Sequence, residues 1–199
     1  MTFTSDTVEV RRAGAADSAV VSDILAQAFF DDPVISWAFP DDDRRRELLP
    51  DVFSLFVDGF LSAGEVRVTE DIGAALWMPP VAAAADEDPD EMVRQIEAVI
   101  GADAERFLEL VALLDEHHPH EPAYYLLAVG VRPASQGTGV GSSLMRPVLE
   151  QCDRDGVAAY LEATSERSRK LYQRHGFEAI GQFAPTGAPP LWPMWRAPR

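Results

Sequence analysis

Residues Val129 to Ser142 read VGVRPASQGTGVGS, and this stretch decides the fold. Just before it stands YYLLA, so Tyr124 to Val131 is a continuous apolar run of strand length, the pattern of a strand buried on both faces. After it comes SSLMRPVLEQCDRDG, where Leu144, Met145, Val148, Leu149 and Cys152 recur at helical spacing. A strand therefore runs into a turn with Gly137, Gly139 and Gly141 at alternate positions, and a helix starts there. The first N–H groups of a helix lack internal partners, and the macrodipole places about half a positive charge at that end. Glycines remove the Cβ atoms that would keep a ligand away from those amides. Such a turn receives a pyrophosphate without any lysine, whereas a plain helix cap has no use for three glycines so placed.

Downstream, Ala158 to Thr164 (AAYLEAT) reads as a strand and ERSRKLYQRHGF as a short helix stopped at Gly176. APPLWPMWR reads as a last strand whose prolines suit only an edge. Upstream, Thr7 to Arg11 alternates like a short strand. A helix follows, capped by Asp17 or Ser18 and ended by Asp31, Asp32 and Pro33. A second, with Leu48, Leu49, Val52, Phe53, Phe56, Val57 and Phe60 on a wide apolar stripe, begins or kinks at Pro50. Strands are expected at Val66 to Thr69 and Ala74 to Met78, with a turn at Asp71 to Gly73. PPVAAAADEDPDE reads as an exposed loop, Pro89 to Ile100 and Asp103 to Glu116 as helices, and HHPHEP as a loop. Strands alternating with helices make a single α/β or α+β domain around a central sheet.

Composition narrows the function. The chain has 199 residues, 17 basic against 33 acidic, and a net charge of −16, which repels phosphate backbones and excludes a nucleic-acid-coating role. One cysteine, Cys152, forms no internal disulfide, which fits a reducing compartment. MTFTSDTVEV lacks a signal-peptide pattern, and charges break the apolar runs before spanning length. The expectation is a cytoplasmic protein without membrane partners.

Three phosphate loops compete for Gln136 to Ser142. A P-loop needs Lys-Ser/Thr after its last glycine, and Ser142-Ser143 follow Gly141 here. A dinucleotide fold wants G-x-G-x-x-G directly after the strand and an acidic residue about 20 positions on. Glu162 suits that distance, but RPASQ separates strand from glycines and the spacing is G-x-G-x-G. A strand, then Q-x-x-G-x-G/A, then a helix fits best, with Gln136, Gly139 and Gly141 in place. This pattern, with the strand, helix, Leu171-Tyr172 and Gly176-Phe177 that follow, resembles the GCN5-related N-acetyltransferase (GNAT) superfamily over about Tyr124 to Ile180. More weakly, FDDPVISW (Phe30 to Trp37) is similar to the puromycin N-acetyltransferase-type branch.

The resemblance implies one acetyltransferase-like domain over 1–199, with a central mixed twisted sheet flanked by helices. Residues 1–120 would be its substrate-side half, and 121–199 its acetyl-CoA-binding core and C-terminal strand. It implies acetyl-CoA as cosubstrate, no metal, and an amine acceptor that is a small molecule or a peptide; a homodimer is left open. Amides of Gly137, Thr138, Gly139, Val140, Gly141 and Ser142, with Gln136 and Ser168, would hold the pyrophosphate end. Backbone groups of Val129, Gly130 and Val131 would pair with the pantetheine arm like an added strand. Relatives often carry Asn where Ser165 and Ser168 stand, and serine reaches less far. Tyr172 is implied as general acid toward the leaving thiolate.

The base is read from the residues alone, and the alternative to any side chain is water carrying the proton away. Glu162 shares a strand face with Tyr160 and Thr164, while His118, His120 and Glu121 precede the cofactor strand. Asp31, Asp32, Trp37, Phe39 and Trp77 make an acidic, aromatic candidate pocket for a cationic amine. The spacing H-H-P-H is not that of a zinc site. The leading reading is direct acetyl transfer to an amine; the alternative is a non-catalytic module that binds coenzyme A or an acyl-CoA.

Overall fold

The computed structural model describes residues 9–80 and 89–199. The expected strand over Thr7 to Arg11 lies partly outside them, and what is described there is a two-residue strand, β1 (Arg11–Arg12). Most of the acid-rich PPVAAAADEDPDE stretch also lies outside the described residues.

Helix α1 (Ser18–Phe29) is followed by a short helix, α2 (Pro33–Ala38), which the sequence reading had taken only as a helix end. Asp32 explains the restart. Its Oδ1 accepts from the N–H groups of Val34 (2.9 Å) and Ile35 (3.2 Å), and Pro33 stands where no N–H is needed. Helix α3 (Asp42–Ala63) begins at its Asp41 cap and carries Pro50 in its interior, so it does not start at the proline. Arg45, almost fully buried, donates to the carbonyls of Phe30 (2.9 Å) and Phe39 (2.5 Å) and thereby fixes α2 between them.

Strands β2 (Glu65–Thr69) and β3 (Gly73–Met78) form a hairpin whose turn has Glu70 and Asp71 at positive φ. Helices α4 (Pro89–Ile100) and α5 (Ala104–Glu116) lead to β4 (Ala123–Val131). Then come α6 (Val140–Asp155), β5 (Ala158–Ala163), α7 (Glu166–Arg174), β6 (Glu178–Ala179) and β7 (Trp192–Arg196). Among the described residues seven strands form one mixed sheet in the order β1-β2-β3-β4-β5-β7-β6. Among the described residues only β4 and β5 pair in parallel.

β7 is interior, not an edge, and Pro193 shows how. Its carbonyl accepts from Ile180 N (2.9 Å), so the direction of its missing N–H is toward β6. The pairing with β5, where Pro193 stands opposite Glu162, loses no donor. Two cores cover the two sheet faces. Helices α1, α3, α4 and α5 pack on Val66, Val68, Ala74, Leu76 and Ala128, while α6 and α7 pack on Ala75, Trp77, Leu126, Leu161 and Met194. Strand β4 is not fully buried on both faces as its apolar run suggests: Tyr125, Leu127, Val129 and Val131 are half-buried.

Candidate active site

The register of β4 holds the key irregularity. Leu76 pairs with Ala128 but Trp77 pairs with Leu126, so Leu127 is an extra residue, a β-bulge. Leu126 and Val129 therefore pack toward α6, while consecutive Leu127 and Ala128 both face α1 and α3. β5 pairs with β4 only through Ala123, Tyr124 and Tyr125. From Leu126 to Val131 the β4 main chain has an open edge on the β5 side among the described residues. Gly130 keeps α1 close: a Cβ there would lie 2.8 Å from Ala28 Cβ and 2.9 Å from Leu25 Cδ2.

At the end of β4 the glycine turn opens α6. Gly137 (φ +80) and Gly139 (φ +94) adopt the left-handed backbone that side chains disfavour, and Gly139 caps the helix. A Cβ on either would meet nothing described within 4 Å, so the space over the turn is open. Gln136 Nε2 donates to Val131 O (3.0 Å), and its Oε1 accepts from Arg167 Nη1 (2.8 Å) on α7. Thr138 Oγ1 donates to Ser135 O (2.6 Å). Val140 is buried, and Gly141 faces Leu171 and Val131 at ordinary contact distance. Ser142 Oγ lies 2.9 Å from His175 Nε2, a ring whose pKa burial and then Arg174 and Arg146 lower. Open space, left-handed glycines and first-turn amides fit a pyrophosphate. Ser168 is placed differently: its hydroxyl donates to Ser165 O (2.9 Å) in a reciprocal cap of α7 with Ser165. That local cap accounts for both serines.

Beside the open edge lies a cavity of about 290 Å³, lined from α1, α2, α3, α5, β4 and β5. Leu127 and Ala128 of the bulge belong to its wall. Asp32 lines it, with its Oδ2 accepting from Thr164 Oγ1; burial raises its pKa. Glu162 lines it too. Burial pushes its carboxyl up to about 7, although the phenols of Tyr160 and Tyr125 favour its charged form. Glu162 Oε1 is buried with no hydrogen-bond partner among the described residues. His118, an exposed residue at the rim, packs edge-on against Tyr125 (4.7 Å) and Tyr160 (5.4 Å), and partial desolvation lowers its pKa. Tyr172 is buried, edge-to-face with Phe177 at 6.1 Å; burial, then the charges of Asp32 and Glu162, raise its pKa, so the phenol stays protonated at neutral pH.

The structure does not bring together the rest of the acidic, aromatic pocket. Asp31 is exposed, and neither it nor Trp37 lines the cavity; Arg106 stands over the Trp37 ring. Phe39 stacks on Phe107 in the core, and Trp77 is wholly buried under α6. His120 and Glu121 are exposed and outside the cavity. Sequence reading missed Tyr125 and the wall of Phe29, Phe53, Phe56 and Phe107. The α3 stripe contained Phe53 and Phe56, but nothing in its spacing separates cavity from core. Among the described residues no three His, Cys, Asp or Glu side chains are grouped to hold a metal. No described helix is long and apolar enough to cross a membrane.

Comparison with known proteins agrees with this geometry. Residues 69–177 match the model of the Acetyltransferase (GNAT) family. An uncharacterized N-acetyltransferase of Schizosaccharomyces pombe is 26% identical over 185 residues, 84% of this chain and 73% of that protein. A Corynebacterium glutamicum crystal structure, described as histone acetyltransferase HPA2 and related acetyltransferase, is 30% identical. It superposes with a TM-score of 0.72 over 96% of this chain and 97% of that one. A Drosophila melanogaster polyamine N-acetyltransferase that forms N-acetylagmatine shares the fold at 18% identity, with a TM-score of 0.64 over 96% and 99% of the two chains.

Proposed function

Because this chain belongs to the GNAT acetyltransferase family, and so is an acyltransferase of a family whose cosubstrate is acetyl-CoA, we propose that it acetylates a small amine by direct transfer, with Glu162 as base and Tyr172 as acid. The observation that carries this reading is one of adjacency. Leu127 and Ala128 belong both to the open edge of β4 and to the wall of the cavity, so a donor along that edge and an acceptor in that cavity would meet at the bulge. The Asp32 of FDDPVISW lines the same cavity, which supports a puromycin acetyltransferase-type acceptor half. The protein is read as a single domain, its substrate side in residues 1–120 and its cofactor side in 121–199.

Acetyl-CoA supplies the acetyl group as an activated thioester. The amides of Gly137 to Ser142 would hold its pyrophosphate, and the open edge from Leu126 to Val131 would pair with its pantetheine arm. Glu162 takes a proton from the acceptor ammonium, which frees the nitrogen lone pair. A carboxyl at about 7 is matched to that task near neutral pH, unlike one at 4.5. As the N–C bond forms and the C–S bond breaks, Tyr172 gives its proton to the departing sulfur, and the proton that the nitrogen sheds on becoming an amide returns to the phenolate. The phenol is protonated at neutral pH and so has a proton to give when the thiolate departs. Thiol release from acetyl-CoA in the presence of amines tests the reaction. Tyr172→Phe keeps the ring against Phe177 and should lower kcat about 10²–10⁴-fold while the acetyl-CoA Kd stays put. A kcat within about threefold of wild type would assign Tyr172 to packing.

A further inference from the structure

Resting on that transfer reading, the wall of the cavity narrows the acceptor. Its carboxylates that are not at the rim are Asp32 and Glu162: Thr164 Oγ1 donates to Asp32, and Glu162 stands two residues earlier on the same strand face. The deep wall is hydrocarbon, built from buried Leu49 and Phe53 of α3 and Phe107 and Leu110 of α5, with half-buried Phe56 beside Phe107 at 6.3 Å. Asp115 and His118 stand at the rim, both exposed. At about 290 Å³ the cavity is at the small end for ligand sites.

We propose that the acceptor is a primary monoamine on an apolar body, an arylalkylamine or an alkylamine of similar length. Glu162 Oε1, buried and unpartnered among the described residues, and Asp32 receive the ammonium, and the rings of α3 and α5 cover the hydrocarbon body. A diamine of equal length would press its second ammonium into that wall, where no acceptor meets it; burying an unpaired charge is strongly unfavourable. Asp115 offers only a solvated pair at the rim, which contributes little. Aminoglycosides exceed the space, and the −16 net charge attracts all cations alike, so the wall and not the field discriminates.

The test compares n-hexylamine and 2-phenylethylamine with 1,6-diaminohexane and agmatine at saturating acetyl-CoA, at pH 8 where Glu162 is ionised. Thiol release gives kcat/KM, and calorimetric titration of each amine into the protein saturated with coenzyme A gives binding apart from turnover. The apolar amines should exceed 1,6-diaminohexane and agmatine at least about tenfold in kcat/KM, mostly through KM. Equal or better use of the diamine or of agmatine would overturn the proposal, as would absence of both binding and transfer with the apolar amines. Selective binding of n-hexylamine without any transfer would instead overturn the transferase reading and leave the acceptor class standing. Phe56→Glu, which adds a carboxylate to the wall, should reduce the hexylamine preference at least about fivefold with acetyl-CoA affinity unchanged. A preference unmoved in that folded variant would also count against the assignment.

Discussion

The turn from Gln136 to Ser142 offers a ligand main-chain amides from consecutive residues, whereas the cavity offers side chains brought together from α1, α2, α3, α5, β4 and β5. The first needs only a backbone that bends to positive φ and carries no Cβ, as at Gly137 and Gly139. The second needs a carboxylate on β5, a helix cap at Asp32 and phenylalanines far apart in sequence to arrive at one place. Main-chain recognition tolerates change in every side chain that does not disturb the turn. Side-chain recognition is rewritten by single substitutions, which suits the half of an enzyme that chooses its acceptor.

Gly139→Val tests the main-chain site directly. Its φ of +94 places a β-branched residue where the left-handed backbone costs about 1–3 kcal/mol, equivalent to about 5- to 150-fold in affinity. The Cβ itself meets only open space, so the fold should survive while the turn deforms. Calorimetry should show acetyl-CoA binding reduced by that factor or lost. Gly141→Ala is the control: its Cβ would meet Leu171 at 3.5 Å, an ordinary contact inside α6, and affinity should stay within about threefold. If Gly139→Val binds as well as wild type, main-chain geometry is not what holds the cofactor.

Glu162→Gln tests the side-chain half, on turnover instead of cofactor affinity. Loss of the base should lower kcat about 10²–10⁴-fold and abolish a rise of activity through pH 7. Stability should move the other way. A carboxyl raised from 4.5 to about 7 makes the folded state bind more protons than the unfolded state between those values, so stability falls as pH rises through that window. The shift corresponds to about 3 kcal/mol at pH 8, absent below pH 4.5. Glu162→Gln should therefore melt higher than wild type at pH 8 and alike at pH 4. Equal melting at both would mean that the carboxylate is hydrated and no base.

How much of this was legible follows from the same division. The strand, glycine turn and helix from Tyr124 to Asp155 could be read because their physics is local: apolar run, missing Cβ atoms, helical period. Glu162 was legible through alternation on β5 and Asp32 through its charge beside aromatics, but the cap that restarts α2 was read as a stop, so which of Asp31 and Asp32 faces the cavity was not legible. The bulge at Leu127 left no mark, since any apolar residue serves there. β7 was placed at the edge by its prolines because which side a missing N–H faces depends on register. Trp37, Phe39 and Trp77 were grouped by chemistry, yet folding sends them to separate places, Trp37 beside Arg106, Phe39 against Phe107 and Trp77 beneath α6.

A smaller effect separates Asp32 from Glu162. Asp32→Asn keeps the side-chain oxygen that caps α2, since asparagine caps as well as aspartate. What it removes is a buried charge facing the acceptor. KM for the amine should rise about tenfold with kcat within about threefold, because ground-state attraction and transition-state attraction are lost together. A large drop in kcat alone would make Asp32 the base and Glu162 its support.

The smallest expected effect belongs to Arg167, and it probes whether side chains help even the main-chain half. Gln136 bridges two neighbours that fix which way its amide points. Val131 O can only accept, so Nε2 must face it; a guanidinium can only donate, so Oε1 must face Arg167. The amide thus ties the end of β4 to α7 across the start of the turn. Arg167→Ala removes one exposed hydrogen bond and leaves the other. An exposed bond of this kind contributes about 0.5–1 kcal/mol, so acetyl-CoA affinity should weaken about two- to fivefold, with the glycine turn otherwise intact. Gln136→Glu should cost more, because it deletes the donor to Val131 O and turns a carboxylate toward a carbonyl and an anion site. A loss of about thirtyfold or more in Arg167→Ala would mean that the turn is held open by its side-chain brace and not by its own backbone. The contrast between a main-chain half and a side-chain half would then fail at the place where it is drawn most sharply.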